Sequence, residues 1–187
     1  DAEALAEYAT VPVVNGLTDD AHPCQTLADL LTIREQFGFE DTTVAWVGDG
    51  NNVAQSFVVG AAMVGLDVVV ATPEGYGIDD DVLDRAAEFG GAPQTTTDPE
   101  AAVADADIVY TDVFVSMGQE DERERKLDAF EGFQVTTELL GDRTLMHCLP
   151  AHRGEEVTDD GVETDTAIVW DQAENRLHAQ KGLLVWL

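Results

Sequence analysis

The chain of 187 residues is strongly acidic, because 38 Asp and Glu residues against 9 Lys and Arg residues give a formal net charge of −29. Its hydrophobic content of 44% excludes an intrinsically disordered chain, and no apolar run in it approaches the roughly 20 residues of a membrane span. Since the sequence contains no basic patch, nucleic acid is not expected as a partner.

The acidic residues are spread along the chain, as at 19–20, 79–81 and 159–160, rather than gathered in one tail. A fold with this charge repels itself in dilute salt, and ions at molar concentration relieve the repulsion by shortening the Debye length to about 3 Å. We therefore predict a halophilic protein, with an acidic mesophilic protein as the alternative. Two cysteines make no disulfide framework, which favours a reducing cytoplasm. The start at Asp1, without Met or a signal peptide, predicts a fragment or a processed form.

The first forty residues contain one clear helix start. Residues 2–8 are typical of the end of a helix, and the apolar residues 12–16 predict a short strand. Pro23 suits the first position of a helix, which places His22 and Gln25 where unpaired backbone N–H groups favour an anion. The alternative for His22 is a capping or packing role.

A strand–turn–helix–strand unit is predicted next, with strands over 44–47 and 68–71 and a helix over 53–64. The Gly-rich turn over 48–52 resembles a dinucleotide-binding fingerprint but carries Val53 at the third glycine position. Its two adjacent Asn residues bring amide donors to the start of the helix. The turn therefore favours a small carboxylate over NAD, and the alternative is a tight turn without a ligand.

Alternating helices and strands continue through the middle of the chain. The pattern predicts a helix over 79–89 with Phe89 facing inward, a strand over 95–97, a short helix over 98–104 and a strand over 108–111. This alternation, with the elements around it, predicts an α/β fold. We expect a doubly wound, mostly parallel sheet of five or six strands with helices on both faces, which is Rossmann-like.

The segment after the strand at 108–111 combines an acid, a hydroxyl and a methionine in Asp112, Ser116 and Met117. Such a loop at a strand end is typical of a binding site. An ordinary connection with Asp112 as a helix cap is the alternative. A charged helix over 120–130 is predicted to follow.

A buried strand over 144–146 is predicted to lead into His147-Cys148-Leu149-Pro150, where Pro150 stops further pairing. Ligands of open α/β sheets gather at the carboxyl ends of the strands, so the thiol of Cys148 is placed to meet a substrate. The alternative is that Cys148 is a small buried hydrophobic residue.

The end of the chain predicts a last strand over 167–170 and an amphipathic helix over 177–186. Arg176 between them has the planar fork that binds phosphates or carboxylates, and a surface ion pair is its alternative. The four histidines lack a metal-like spacing with carboxylates, so no metal is expected. No cofactor is expected either.

Four local patterns occur in a fixed order at predicted strand ends or helix starts. They are His-Pro-x-Gln at 22–25, Gly-Asp-Gly-Asn-Asn at 48–52, Asp-x-x-x-Ser-Met-Gly at 112–118 and His-Cys-Leu-Pro at 147–150. In this combination the chain resembles the ornithine carbamoyltransferase family over essentially its whole length. Phe114 is a departure, since the family commonly carries Trp there.

The resemblance implies three parts of the chain. Residues 1–37 would close a carbamoyl phosphate-binding domain, residues 38–172 would form an ornithine-binding α/β domain, and residues 173–187 would form a C-terminal helix. The family's Ser-Thr-Arg-Thr phosphate loop is not among these residues, so the resemblance does not imply that this chain is active alone. It does imply a homo-oligomer, a trimer or a multiple of one, when full length.

The resemblance also implies an activity, the transfer of a carbamoyl group from carbamoyl phosphate to the δ-amine of ornithine, giving citrulline and phosphate, or the reverse. It assigns catalytic roles to Cys148, His22 and Arg176. Further residues would bind substrate, with Gln25 at the carbamoyl group and the others around ornithine: Asn52, Asp112, Ser116, Met117 and Leu149.

The implied chemistry needs a neutral amine, whereas comparable amines titrate near 10.4. A thiolate at Cys148, or a hydrogen bond from the thiol to the amine, would help to remove the proton. His22 and Arg176 would stabilise the oxyanion. The alternatives are a transcarbamylase that acts on putrescine and a non-catalytic module that binds an amino acid or a nucleotide.

Overall fold

The computed structural model describes residues 2–116 and 120–187 of the chain. Its sheet is built from five short strands, which alternate with helices along the chain. The strands are β1 (Thr43–Val47), β2 (Asp67–Ala71), β3 (Gln94–Thr96), β4 (Ile108–Thr111) and β5 (Thr144–His147).

Nine helices surround the sheet within the described ranges, and a 3₁₀ turn over Glu120–Glu122 precedes the sixth. They are α1 (Ala2–Tyr8), α2 (Pro23–Gln36), α3 (Asn52–Val64), α4 (Asp80–Glu88), α5 (Pro99–Val103), α6 (Arg123–Ala129), α7 (Thr137–Leu140), α8 (Asp159–Val162) and α9 (Val169–Trp186). Several starts follow from the local sequence. The side chain of Asp98 accepts hydrogen bonds from two backbone N–H groups of α5, and Pro99 takes its first position.

The strand order is β3-β2-β1-β4-β5, and every pairing is parallel. The chain moves outward from β1 to β3 on one side and then returns to place β4 on the other side of β1. The ends of β1 and β4 therefore form the topological switch point, where ligands of such sheets usually bind.

Alternate residues of the strands divide the core into two layers, one on each face of the sheet. Ala45, with Val109 and Leu145, belongs to one layer, and Trp46, with Tyr110, belongs to the other. The Tyr110 ring packs edge-on against Trp46 at a centroid distance of 4.7 Å. Helices cover both layers, so the doubly wound parallel fold predicted from the sequence is confirmed.

Two predicted strands are wrong. Residues 12–16 take part in no strand pairing among the described residues, and Val14 there is 40% exposed. In the segment 167–170, Ala167 forms only an isolated bridge with Leu145, and the helix α9 begins at Val169. A four-residue apolar run does not distinguish a buried strand from the buried first turn of a helix.

Two smaller differences concern the ends of α9 and α4. The C-terminal helix, predicted over 177–186, is the end of α9, so Arg176 lies within that helix. Phe89, predicted to face inward, ends α4 and is 43% exposed. None of the helices in the described part of the chain has the length and apolar character needed to cross a membrane.

Candidate active site

The carboxyl ends of β1, β4 and β5 carry three of the four sequence patterns, and the start of α2 carries the fourth. The backbone N–H of His22 donates to Ser56 Oγ at 2.7 Å, which fixes the beginning of α2 against α3. Parallel strands end at one edge of the sheet, so residues far apart in the sequence meet there. This edge is the candidate site.

Cys148 and Asp112 are in direct contact at this edge. The thiol of Cys148 donates to Asp112 Oδ1 at 2.9 Å, and the amide of Asn51 donates to Asp112 Oδ2 at 2.8 Å. Asn51 also caps α3, because its side-chain oxygen accepts from Val53 and Ala54 N–H groups. The carboxylate is therefore held by side chains from the ends of β1 and β5, and it is 6% exposed.

The environment of Cys148 disfavours the thiolate. Burial raises the pKa of the thiol well above its usual value, and the nearby charge of Asp112 and its hydrogen bond raise it further. This corrects the first of the two roles predicted for Cys148, since an anionic sulfur would lie beside a carboxylate. The side chain instead holds its proton and donates it in a hydrogen bond.

The turn that carries Cys148 is fixed by the histidine before it. Leu149 has a left-handed φ of 58°, and its N–H donates to His147 Nδ1 at 2.9 Å. Because Nδ1 accepts, the ring proton lies on Nε2, which faces the buried carboxylate of Glu156 at 3.2 Å. The backbone N–H of His147 donates to Gln172 Oε1 at 2.9 Å.

His22, Gln25 and Arg176 form a second part of the site. Arg176 Nη1 donates to Gln25 Oε1 at 2.5 Å, which joins α9 to α2. Burial lowers the pKa of His22, and the charge of Arg176 lowers it further, while Asp112 acts in the opposite direction. The imidazole is therefore neutral near neutral pH. The buried Nε of Arg176 has no hydrogen-bond partner among the described residues.

The buried carboxylate of Asp29 lies behind this second part. Its Oδ1 accepts from Gln25 Nε2 and from Gln172 Nε2, both at 2.8 Å, and its Oδ2 accepts from the Tyr110 hydroxyl at 2.9 Å. Burial raises the pKa of Asp29 from 3.8 to about 7, although the three hydrogen bonds and Arg176 favour the ionised form.

Asn52 and Ser116 both line an acidic cleft of about 760 Å³, which is also lined by Asn51. The side-chain amide of Asn52 donates to the carbonyl oxygen of Thr18 at 2.7 Å, and Asn51 makes the contact with Asp112 instead. Met117 lies outside the described residues.

A buried ion pair forms part of the same cleft. Lys126 Nζ of α6 lies 2.5 Å from Asp49 Oδ2, and the two side chains are 5% and 8% exposed. Burial raises the pKa of Asp49, although the hydrogen bond and charge of Lys126 oppose the rise. The ammonium also lies 5.7 Å from the centre of the Tyr76 ring. The pair ties the helix that follows residues 117–119 to the turn after β1.

The fold assembles two groups of potential metal ligands that the histidine spacing did not predict, each with ligand atoms within 4.8 Å of one another. They are Asp112–His147–Cys148 and His152–Glu155–Glu156. In the first group, the thiol already donates to the carboxylate and Nδ1 of the imidazole already accepts from Leu149. A metal ion there would have to displace these hydrogen bonds.

Sequence reasoning missed three residues that hold this site together: Asn51, Asp29 and Gln172. A signal existed for Asp29, which lies four residues after Gln25 and therefore on the same face of a helix. Asn51 was recognised only as one of two adjacent amides. Nothing in the sequence connects Gln172 to Asp29, since 143 residues separate them.

Comparison with known proteins finds two family models on the chain. Residues 40–187 match the model described as the Asp/Orn binding domain of aspartate/ornithine carbamoyltransferase, and residues 1–35 match the carbamoyl-P binding domain of the same family. The junction between the two models falls between α2 and β1.

Curated relatives and solved structures agree with the models. The ornithine carbamoyltransferase of Haloquadratum walsbyi is 65% identical over 100% of this chain, and the anabolic ornithine carbamoyltransferase of Pyrococcus furiosus is 55% identical over 98%. The P. furiosus ornithine carbamoyltransferase structure superposes with a TM-score of 0.91 at 55% identity, covering 98% of this chain. That of Thermus thermophilus superposes with a TM-score of 0.87 at 48% identity, also over 98%. The chain spans 61–63% of the length of these relatives.

Proposed function

The chain belongs to the aspartate/ornithine carbamoyltransferase family, and from this premise we propose that the whole protein transfers a carbamoyl group from carbamoyl phosphate to the δ-amine of ornithine. The products are citrulline and phosphate, or the reaction runs in reverse at the same site. The observation that carries the proposal is the contact between the Cys148 thiol and the Asp112 carboxylate, 2.9 Å apart. This contact puts a hydrogen-bonding sulfur beside an anion that fits an ammonium group.

The domain assignment follows the same proposal. Residues 1–37 close the carbamoyl phosphate domain, residues 38–172 form the ornithine domain, and residues 173–187 belong to the C-terminal helix. The matches of the two family models to residues 1–35 and 40–187 support this division. The substrates then meet between α2 and the ends of β1, β4 and β5.

Ornithine carries an α-ammonium and an α-carboxylate, and the site offers a partner for each. Asp112 pairs with the ammonium, and the amide of Asn52 binds the carboxylate after leaving the Thr18 carbonyl oxygen, its present acceptor. Ser116 and the backbone of Met117 help to bind the ammonium, and Leu149 lies with Cys148 beside the carbamoyl carbon and the attacking amine. Putrescine lacks the α-carboxylate and offers the Asn52 amide no anion to bind, so we favour ornithine as the acceptor.

Carbamoyl phosphate binds on the other side of the site. Gln25 and the neutral His22 contact the carbamoyl group, and the guanidinium of Arg176 binds the anion. These donors stabilise the negative charge that develops on the carbamoyl oxygen. Because the Cys148 thiol keeps its proton, Cys148 orients the δ-amine by hydrogen bonding.

Catalysis then rests mainly on positioning. The neutral δ-amine attacks the carbamoyl carbon, and the bond from that carbon to the phosphate oxygen breaks. The departing phosphate keeps the electron pair of that bond and takes the proton that the amine nitrogen loses. Holding the two reactants in register can lower the barrier by about 7–11 kcal/mol. No metal or cofactor takes part in this proposal.

The biological setting is also part of the proposal. The net charge of −29 and the 65% identity to a Haloquadratum protein support a halophilic protein. We place it in the cytoplasm, in arginine metabolism, and expect the full-length protein to form a trimer or a multiple of one.

The experiment is an assay of citrulline formation by the full-length protein in molar salt, with ornithine or putrescine as the acceptor. We expect turnover with ornithine. Asp112→Asn should raise KM for ornithine about tenfold or more, because a charge-assisted pair is lost. A preference for putrescine would overturn the choice of acceptor, and ornithine binding without turnover in calorimetry would support a non-catalytic module instead.

The two cysteines provide a matched control. Cys148→Ser changes the group beside Asp112, whereas Cys24→Ser changes a buried thiol whose Sγ contacts the Asn15 carbonyl oxygen at 3.4 Å. We expect kcat to fall only in the Cys148 variant. Equal activities in the two variants would contradict a role for Cys148 in the reaction.

A further inference from the structure

Asp29 lies between the two parts of the candidate site. One part contains Cys148 and Asp112, and the other contains His22, Gln25 and Arg176. Its carboxylate is completely buried and accepts hydrogen bonds from three elements: Gln25 of α2, Gln172 of α9 and Tyr110 of β4. All three donors are neutral. The contacts therefore do not form an ion pair that would hold the helices together by charge alone.

The opposite ends of the two glutamines point at the candidate site. Gln25 Oε1 accepts from the guanidinium of Arg176 at 2.5 Å. Gln172 Oε1 accepts from the backbone N–H of His147 at 2.9 Å, immediately before Cys148. Each amide thus has its nitrogen at Asp29 and its oxygen at a group of the site.

This polarity has a chemical cause. Above pH 7 the carboxylate of Asp29 is ionised. An ionised carboxylate only accepts hydrogen bonds, so both glutamines turn their NH₂ groups toward it. Their oxygens are then directed outward, where Arg176 and the His147 N–H need an acceptor. An Asn side chain at position 29 has both a donor and an acceptor. It would therefore allow the side-chain amide of Gln25 or of Gln172 to flip by 180°.

We propose that Asp29 is a positioning residue that fixes the orientation of the Gln25 and Gln172 amides, and through them the Arg176 guanidinium and the turn that carries Cys148. The inference rests on the proposed function, because it takes Arg176 and Cys148 as groups that face the substrates. Among the described residues, Asp29 makes its hydrogen bonds to Gln25, Gln172 and Tyr110, so it acts on Arg176 and Cys148 through the glutamines.

The chemistry of the buried acid distinguishes positioning from a purely structural role. Burial opposes ionisation of Asp29, so a neutral residue of the same shape should be at least as stable. A carboxylate at this buried position, where its ionisation is unfavourable, is consistent with a charge that orients the two glutamine amides. Loss of activity without loss of stability is therefore the expected signature of Asp29→Asn.

The experiment measures kcat and KM for both substrates, together with the thermal midpoint, on the full-length protein in molar salt at pH 8, where Asp29 is ionised. We expect Asp29→Asn to raise KM for carbamoyl phosphate and to lower kcat, each by about tenfold, which matches the loss of one hydrogen bond to a charged group. Its thermal midpoint should not fall. Unchanged kinetics, or a loss of activity that parallels a fall in the midpoint, would overturn the proposal.

Thr32→Val is the matched control. Thr32 lies one turn after Asp29 on α2, is buried, and accepts from Asn175 Nδ2 of α9 at 3.0 Å. The substitution removes a buried contact between the same two helices without touching either glutamine. We expect a lower thermal midpoint with unchanged kcat and KM. A similar kinetic loss in Thr32→Val would mean that any loosening of α2 against α9 disturbs the site.

Gln172→Met tests only the link from Asp29 through Gln172 to the His147 backbone. It tests the proposal even if Asp29→Asn does not fold. It removes the acceptor of the His147 N–H but leaves Gln25 between Asp29 and Arg176. We expect kcat to fall about fivefold, less than the full effect of a charge-assisted hydrogen bond, with KM for carbamoyl phosphate unchanged. An unchanged kcat, or equal increases in KM for both substrates, would overturn the proposal. An unaltered protein that does not turn over would overturn the proposed function itself.

Discussion

The stability of Asp29→Asn as a function of pH tests the physical picture of the buried carboxylate. The pKa of Asp29 is raised from 3.8 to about 7 in the folded state. Between these values the folded protein binds more protons at this site than the unfolded chain does, so the contribution of Asp29 to stability falls as pH rises. Asn mimics the neutral form at every pH and avoids this penalty.

A shift of roughly three pKa units corresponds to about 4 kcal/mol. Denaturant unfolding of the full-length protein in molar salt should therefore show Asp29→Asn more stable than the unaltered protein by up to about 4 kcal/mol at pH 8. The advantage should shrink as pH falls and disappear below the unfolded pKa of 3.8, where Asp29 is neutral in both the folded and the unfolded protein. Asp29 interacts electrostatically with three titratable groups, Arg176, Tyr110 and Cys148. These groups are the same in both proteins.

The refuting result is an Asp29→Asn protein that is less stable than the unaltered protein at pH 8. Such a result would mean that the hydrogen bonds to the ionised carboxylate outweigh its burial. A constant difference between the two proteins at all pH values would also contradict the reasoning, because it would show that Asp29 does not titrate in this window.

Three other predictions concern the buried ion pair, the thiol and the charge. Lys126→Met should lower the free energy of unfolding by about 3–5 kcal/mol, measured by denaturant titration, because it leaves the buried Asp49 carboxylate without its ammonium partner. The control Lys181→Met, at an exposed residue, should change the free energy of unfolding by less than about 0.5 kcal/mol, and equal effects of the two substitutions would contradict the prediction. Cys148 should react slowly with iodoacetamide near neutral pH, and Asp112→Asn should accelerate the reaction several-fold by lowering the thiol pKa; equal rates would refute the account of the thiol. Dialysis into dilute buffer should abolish the native far-UV CD spectrum of this protein of net charge −29, and a retained spectrum would count against a halophilic protein.

The strands and most helices could be predicted because their signals are local. β4 was predicted with the bounds it has, Ile108–Thr111, from a continuous apolar run. The start of α5 followed from Asp98 and Pro99, whose capping and φ preferences act within one turn. The segment at 167–170 failed because a short apolar run suits either a strand or the first turn of a buried helix.

The candidate site was predicted in part for the same reason. The order of elements requires parallel strands, and parallel strands bring Asp112 and Cys148 to the same edge of the sheet. The sequence did not decide which of two adjacent amides meets Asp112. The cap of α3 decides this, because it turns the side chain of Asn51, not that of Asn52, toward the end of β4.

The sequence by itself determined the class of fold, the acidic surface and the residue types at the strand ends, since each depends on composition or on neighbours along the chain. Only the tertiary structure decided the protonation of Cys148 and the partners of Asp29. Both depend on which groups exclude water from a side chain. Those groups come from distant segments, such as Gln172, which lies 143 residues from Asp29 in the chain and 2.8 Å from it in space.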